Sequence, residues 1–155
     1  MTPKEYYSQA IKLDERIGYL MEEEAECRAK ALSVKSAGAG LRVQSSMPNE
    51  AGYTSHVMDA VVYHREIEAE LRLLNALKLQ MERVIKTLPN EDERMTIRYR
   101  YLRNCSFPRV ADKLCASLSA VKIWHARALD HTVLPKDAIN LSTDLSKKQE
   151  IPEML

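Results

Sequence analysis

A chain of 155 residues with four Gly, six Pro and one Phe, rich instead in Leu, Ala, Glu, Lys and Arg, has the composition of helices, and an all-α fold is expected. The net charge of +1 advertises no nucleic-acid partner for the chain taken as a whole, and the longest apolar runs, such as Ala60-Val61-Val62-Tyr63, are too short for a membrane span. Met1 to Glu5 lead into no apolar segment, so no signal peptide and no membrane partner are expected; three scattered cysteines, Cys27, Cys105 and Cys115, suit reduced thiols and a cytoplasmic location.

Residues 5–32 hold no Pro, and Tyr6, Ala10, Leu13, Ile17, Leu20, Cys27 and Ala31 recur at steps of three and four, the pattern of a long amphipathic helix. The Glu22-Glu23-Glu24 run on it reads as solvated surface. Residues 33–55 hold three of the four glycines, Pro48 and several serines without any period, and a flexible loop is expected there. A second long helix follows, with Val57, Ala60, His64, Ile67, Leu71, Leu74, Lys78, Met81, Ile85 and Leu88 in unbroken heptad alternation. Such a stripe needs a partner. The first helix, folded back as a coiled-coil-like antiparallel hairpin over residues 1–88, is the nearest candidate, and a second copy of the chain is the next. His64 and Lys78 on the seam either fix its register or mark where the helices diverge.

Pro89 ends this helix, and Asn90 with Glu93 three residues on has the form of a capping box opening a third helix that runs to about Arg103. Asn104 suits a left-handed cap and Ser106 an N-cap, with Pro108 in the first turn of a short helix reaching Cys115. Cys115-Ala116-Ser117 then makes a tight turn into a last helix over residues 118–130, so residues 90–131 are expected to form a tri-helical helix-turn-helix domain. Periodicity assigns its core to Met95, Tyr99 and Leu102, to Phe107, Val110, Ala111 and Leu114, and to Val121, Trp124 and Ala128. The opposite face of the last helix carries Ser119, Lys122, Ile123 and Arg127. Between Arg94 and His131 eight basic residues face only Asp112 and Asp130, a local surplus of six that would draw a polyanion. Residues 132–155, polar and mixed in charge after Pro135, are expected to be a flexible tail.

The stretch from Phe107 to Leu129, with its closing Ala126-Arg127-Ala128-Leu129, resembles the promoter-reading C-terminal domain of sigma-70-type factors. The wider pattern is similar to small phage proteins related to the ArpU-type regulators of late transcription. They share a Tyr-rich first helix ending in Lys12-Leu13-Asp14, a Gly/Ser loop, a second helix, and Arg100-Tyr101-Leu102 leading into the motif. The resemblance implies that Ser117, Lys122 and Arg127 hold phosphates, and it places the base-reading positions on Leu118, Ser119 and Ile123. Those three lack the long polar side chains of the sigma domain, which implies a phage-specific site read by shape, small side chains and apolar contact. Arg109 completes the expected DNA-binding set.

Other chemistries have less support. Trp124 falls on the core side of its helix, which argues for packing over base stacking. Cys105 and Cys115 are ten positions apart on different elements, against the close ligand pairs of a zinc site with His125 and His131, so no metal and no other cofactor is expected. With no phosphate-cradling glycine loop and no activated nucleophile, no enzymatic activity is expected. The expected function is therefore a sequence-specific, duplex-DNA-binding transcription regulator of phage or prophage origin, whose long helices dimerise or touch RNA polymerase. The alternatives are the DNA-recognition small subunit of a phage packaging terminase and a polymerase-binding module that contacts no DNA.

Overall fold

The computed structural model describes residues 1–40 and 50–143. Among them there is no strand: α1 spans Pro3–Gly40, α2 Glu50–Lys86, α3 Glu91–Ile97, α4 Phe107–Leu114 and α5 Leu118–His131, with a π-helical segment, Arg98–Leu102, running on from α3. The fold is all-α, and no described helix is long and apolar enough to cross a membrane.

Both long helices outrun their sequence signals. Residues 33–40 continue α1 and residues 50–55 open α2, so the expected loop over 33–55 is corrected; its centre, 41–49, lies outside the described residues. A missing apolar period marks a missing buried face. It does not mark a missing backbone ladder, since Ala and Lys are good helix formers without a partner.

The chain divides into two compact units, one of residues 14–73 and one joining residues 1–13 to the described residues from 74 onward. The expected boundary between 1–88 and 90–131 is thus not where the division falls: Pro89 stops a helix without ending a core. In the first unit α1 and α2 run antiparallel, as Arg16 pairing with Glu70 and Glu24 with His64 require. Ile17, Leu20 and Ala31 are buried there together with Ala60 and Ile67. Two seam assignments are corrected: Val57 is 38% exposed, and the exposed His64 ring is held at the flank between Glu24 and Glu68.

The second unit holds most of the apolar burial. Tyr6, Tyr7, Ala10 and Leu13 of α1 and Leu77, Met81, Ile85 and Leu88 of α2 are almost wholly excluded from solvent. Each such large side chain contributes about 1.5–3 kcal/mol. The Tyr6 hydroxyl of α1 donates to Gln80 Oε1 of α2 at 2.9 Å. α5 packs on both α3 and α4.

The expected flexible tail over 132–155 is corrected for its first twelve residues. Gln9 Nε2 donates to the Ile139 carbonyl at 2.9 Å while Gln9 Oε1 accepts from the Leu141 amide at 2.7 Å. Gln80 repeats the arrangement from α2, accepting from the Ile139 amide at 2.9 Å and donating to the Asp137 carbonyl at 3.0 Å. Two side-chain amides thereby do for this segment what a neighbouring strand would do, and Leu141 is buried beside them. Residues 144–155 lie outside the described residues. Replacing Gln9 by Ala strands the Leu141 N–H and the Ile139 carbonyl, so a loss of about 2–3 kcal/mol is expected in urea unfolding. Amide exchange at Leu141 rises in the same variant; unchanged exchange would show that the segment is held by other means.

Candidate nucleic-acid interface

The tri-helical geometry is built by its caps. Asn90 Oδ1 accepts from the Asp92 amide at 2.8 Å and starts α3. Glu93 does not complete the expected capping box: it is buried, and its carboxylate bonds His131 Nδ1 at 2.8 Å, tying the start of α3 to the end of α5. The π-helical segment then shifts the helical phase. Thr96 and Ile97 ahead of that segment and Tyr101 within it are buried, while Met95, Tyr99 and Leu102, the expected core positions, are only half-buried.

Asn104 and Cys115 both take the left-handed backbone, at φ 52° and 51°. At Cys115 this closes α4: the Ala116 amide reaches back to the Ala111 carbonyl at 3.0 Å and the Cys115 amide to Asp112 at 3.3 Å. Ser106 begins α4 from extended backbone without a side-chain bond, whereas Ser117 Oγ accepts from the Ala120 amide at 3.1 Å and caps α5. Between these turns Cys105, Val110, Ala111 and Val121 form a buried cluster, with Tyr99, Phe107, Leu114, Ala116 and Trp124 packed against it. Trp124 is therefore a packing residue.

With Val121 and Ala128 buried, the outer face of α5 is fixed by helical spacing. Ser119, Lys122, Ile123, Ala126 and Arg127 follow one another there at steps of three, one, three and one, and all are exposed. Leu118 and Ile123 keep 40% and 50% of their surface in solvent. Ser117 is exposed at the helix start, and Arg109 on α4. All seven residues expected to meet DNA are thus on the surface.

The charge surplus is smaller than the sequence suggests, because three of the eight basic residues are engaged internally. Arg94 pairs with Glu91 and donates to the Leu88 carbonyl, and Arg98 forks onto Glu82. Arg100 donates to the Cys105 carbonyl and lies 4.8 Å from the Phe107 ring centre. Arg103, Arg109, Lys113, Lys122 and Arg127 are exposed and in no ion pair among the described residues. Arg103 and Lys113 were counted in the charge of this stretch but not assigned to the interface; the absence of an internal carboxylate partner is what marks them.

The inner face of α5 is held differently. His125 lies 5.7 Å from Tyr101 in a near-parallel stack, and Tyr101 lies 5.4 Å from Tyr7 in another. The Tyr101 hydroxyl and His125 Nε2 share a 2.7 Å hydrogen bond, Phe107 meets the imidazole edge-on at 5.0 Å, and the Tyr7 hydroxyl bonds Thr132 Oγ1 at 3.0 Å. Burial, helped by the positive charges of Arg100 and Lys4, pushes the His125 imidazole down from 6.5 to about 4. Burial also raises the Tyr7 and Tyr101 phenols, so the whole stack is uncharged at neutral pH. Among the described residues no three His, Cys, Asp or Glu side chains cluster to hold a metal. The outer face of α5 is thus cationic and exposed, while its neutral inner face anchors the helix.

The His125 shift has a signed consequence. Unfolded, the imidazole takes a proton near its ordinary 6.5; folded, it resists until about 4. Between those values the unfolded chain binds more protons, so stability is full above pH 6.5 and declines as pH falls toward 4. Thermal melts across that window are expected to show the decline and to show a flatter profile for His125→Gln; equal pH dependence in both would mean that another group controls it.

Compared with protein-family models, with curated proteins and with solved structures, the chain matches none, so the capped geometry and its exposed charges carry the functional reading.

Proposed function

We propose that this chain is a duplex-DNA-binding transcription regulator of phage or prophage origin, of the ArpU-type late-regulator kind, which acts by occupying a DNA site and catalyses no reaction. The observation that supports this most is the outer face of α5, where Ser119, Lys122, Ile123 and Arg127 stand exposed on a helix capped at Ser117 and backed by a buried core. A helix so mounted has the dimensions to enter a major groove, with its first turns toward base edges and its cations toward phosphates.

The division of labour follows side-chain chemistry. Lys122, Arg127 and Arg109, together with Arg103 and Lys113, neutralise phosphates, and the Ser117 cap adds a hydroxyl and the partly positive end of α5. Leu118, Ser119 and Ile123 are short or apolar, so they contact thymine methyls and small steps in groove shape instead of bidentate base edges. Specificity on this basis is modest per base pair and depends on how easily the site deforms.

The test is fluorescence anisotropy with a labelled random-sequence duplex and with duplexes selected from a random pool. Wild-type affinity should fall steeply with salt. Lys122→Ala and Arg127→Ala should each weaken binding to every duplex and shallow the log–log salt slope by about 0.9 per lost phosphate contact. Ile123→Ala should instead blunt the preference for selected sequences and leave the slope alone. Wild-type binding by both charge-removal variants would overturn the placement of α5 in the groove.

A further inference from the structure

The unit of residues 14–73 contains two helices and nothing else among its described residues, so each helix has one neighbour and can bury one stripe against it. That stripe is thin: Ile17, Leu20, Ala31, Ala60 and Ile67. Beside it lies a groove of about 610 Å³, lined by Leu32, Tyr53, Val57 and Val61. Helical geometry, at about 100° per residue, puts Met21 and Leu32 round one flank of α1 and Val57 and Val61 round one flank of α2. Because the helices are antiparallel, the same sense of rotation brings both flanks to one side of the pair. These side chains stay exposed: Met21 by 49%, Leu32 by 63%, Val57 by 38% and Val61 by 45%.

We infer that this face is covered by the same face of a second copy of the chain, giving a four-helix dimer. Two observations select that occupant. The first is the rim. Arg28, Arg65 and Glu68 line it, and Glu24, beside the lining, is bonded to Arg28 as Glu68 is to His64, so two cations face two carboxylates. A polyanion or a strongly charged peptide needs a rim of one sign, whereas a patch carrying both signs in equal number is complementary to itself under a two-fold axis. The second is size. Met21, Leu32, Tyr53, Val57 and Val61 are left between 37% and 63% exposed on this one face, and a two-fold contact doubles the area that one face buries, toward the ~1,200 Å² at which specific interfaces begin. Face-to-face packing of two such pairs is the arrangement of a four-helix bundle, in which every helix gains a second apolar neighbour.

This inference does not rest on DNA binding, and its test uses no DNA. Light scattering on the intact chain at about 100 µM, far above a micromolar dissociation constant, is expected to give twice the 17.7 kDa of one chain. Leu32→Glu and Val57→Glu, changes at exposed positions on different helices, are expected to return the mass to one chain with circular dichroism unchanged. Val57→Gln removes the apolar contact without adding charge and should weaken association at least tenfold. Val62→Glu, equally exposed but on another side of α2, should leave the dimer intact. A wild-type mass of one chain, an assembly larger than two, or a dimer indifferent to Leu32→Glu and Val57→Glu would each overturn the inference.

Discussion

Tyr101 lies between Tyr7 and His125, and much of the surface of α5 depends on that placement. Three aromatic rings and one short hydroxyl–imidazole bond clamp the inner face of the helix onto the start of α1. The clamp works because every member is neutral at pH 7; a proton on His125 would be buried against Arg100 and Lys4. Anchoring the inner face fixes the position of the outer one, so the exposed side chains of α5 are presented on a rigid support.

The basic residues divide along the same line. Arg94, Arg98 and Arg100 spend their guanidinium groups on Glu91, Glu82, backbone carbonyls and an aromatic ring, and so join α3 and the π-helical segment to their surroundings. Arginine suits this inward work because its planar fork makes several directed bonds at once. Arg109, Lys122 and Arg127 carry the same charge with no internal task. A count of basic residues mixes these two populations, and only the second bears on an external anion.

Much of this was legible in the sequence. The two long helices, the Asn90 and Ser117 caps, the left-handed Asn104 and the exposed face of α5 all follow from residue types at fixed spacings, because caps and turns are local chemistry. The failures also have physical causes. A π-helical segment breaks the 3.6-residue period on which the core assignment of Tyr99 and Leu102 rested, and no single residue announces it. Glu93 matched a capping box by position but found His131 across the fold, a partner that sequence spacing cannot rank. No cap, turn or apolar period singles out Gln9 and Gln80, yet their side-chain amides hold residues 137–141. A glutamine on a buried face is itself a signal that some backbone must come to meet it.

The docking of residues 137–141 also sets an order of events. Gln9 can find its partners only after Leu141 has been made, and Tyr7 only after Thr132. At synthesis rates of roughly 5–20 residues per second, the opening helix therefore waits on the order of ten seconds for them. During that interval Tyr7 lacks its Thr132 partner and Gln9 the backbone groups of Ile139 and Leu141. Loop closure over so long a separation places this step late in folding.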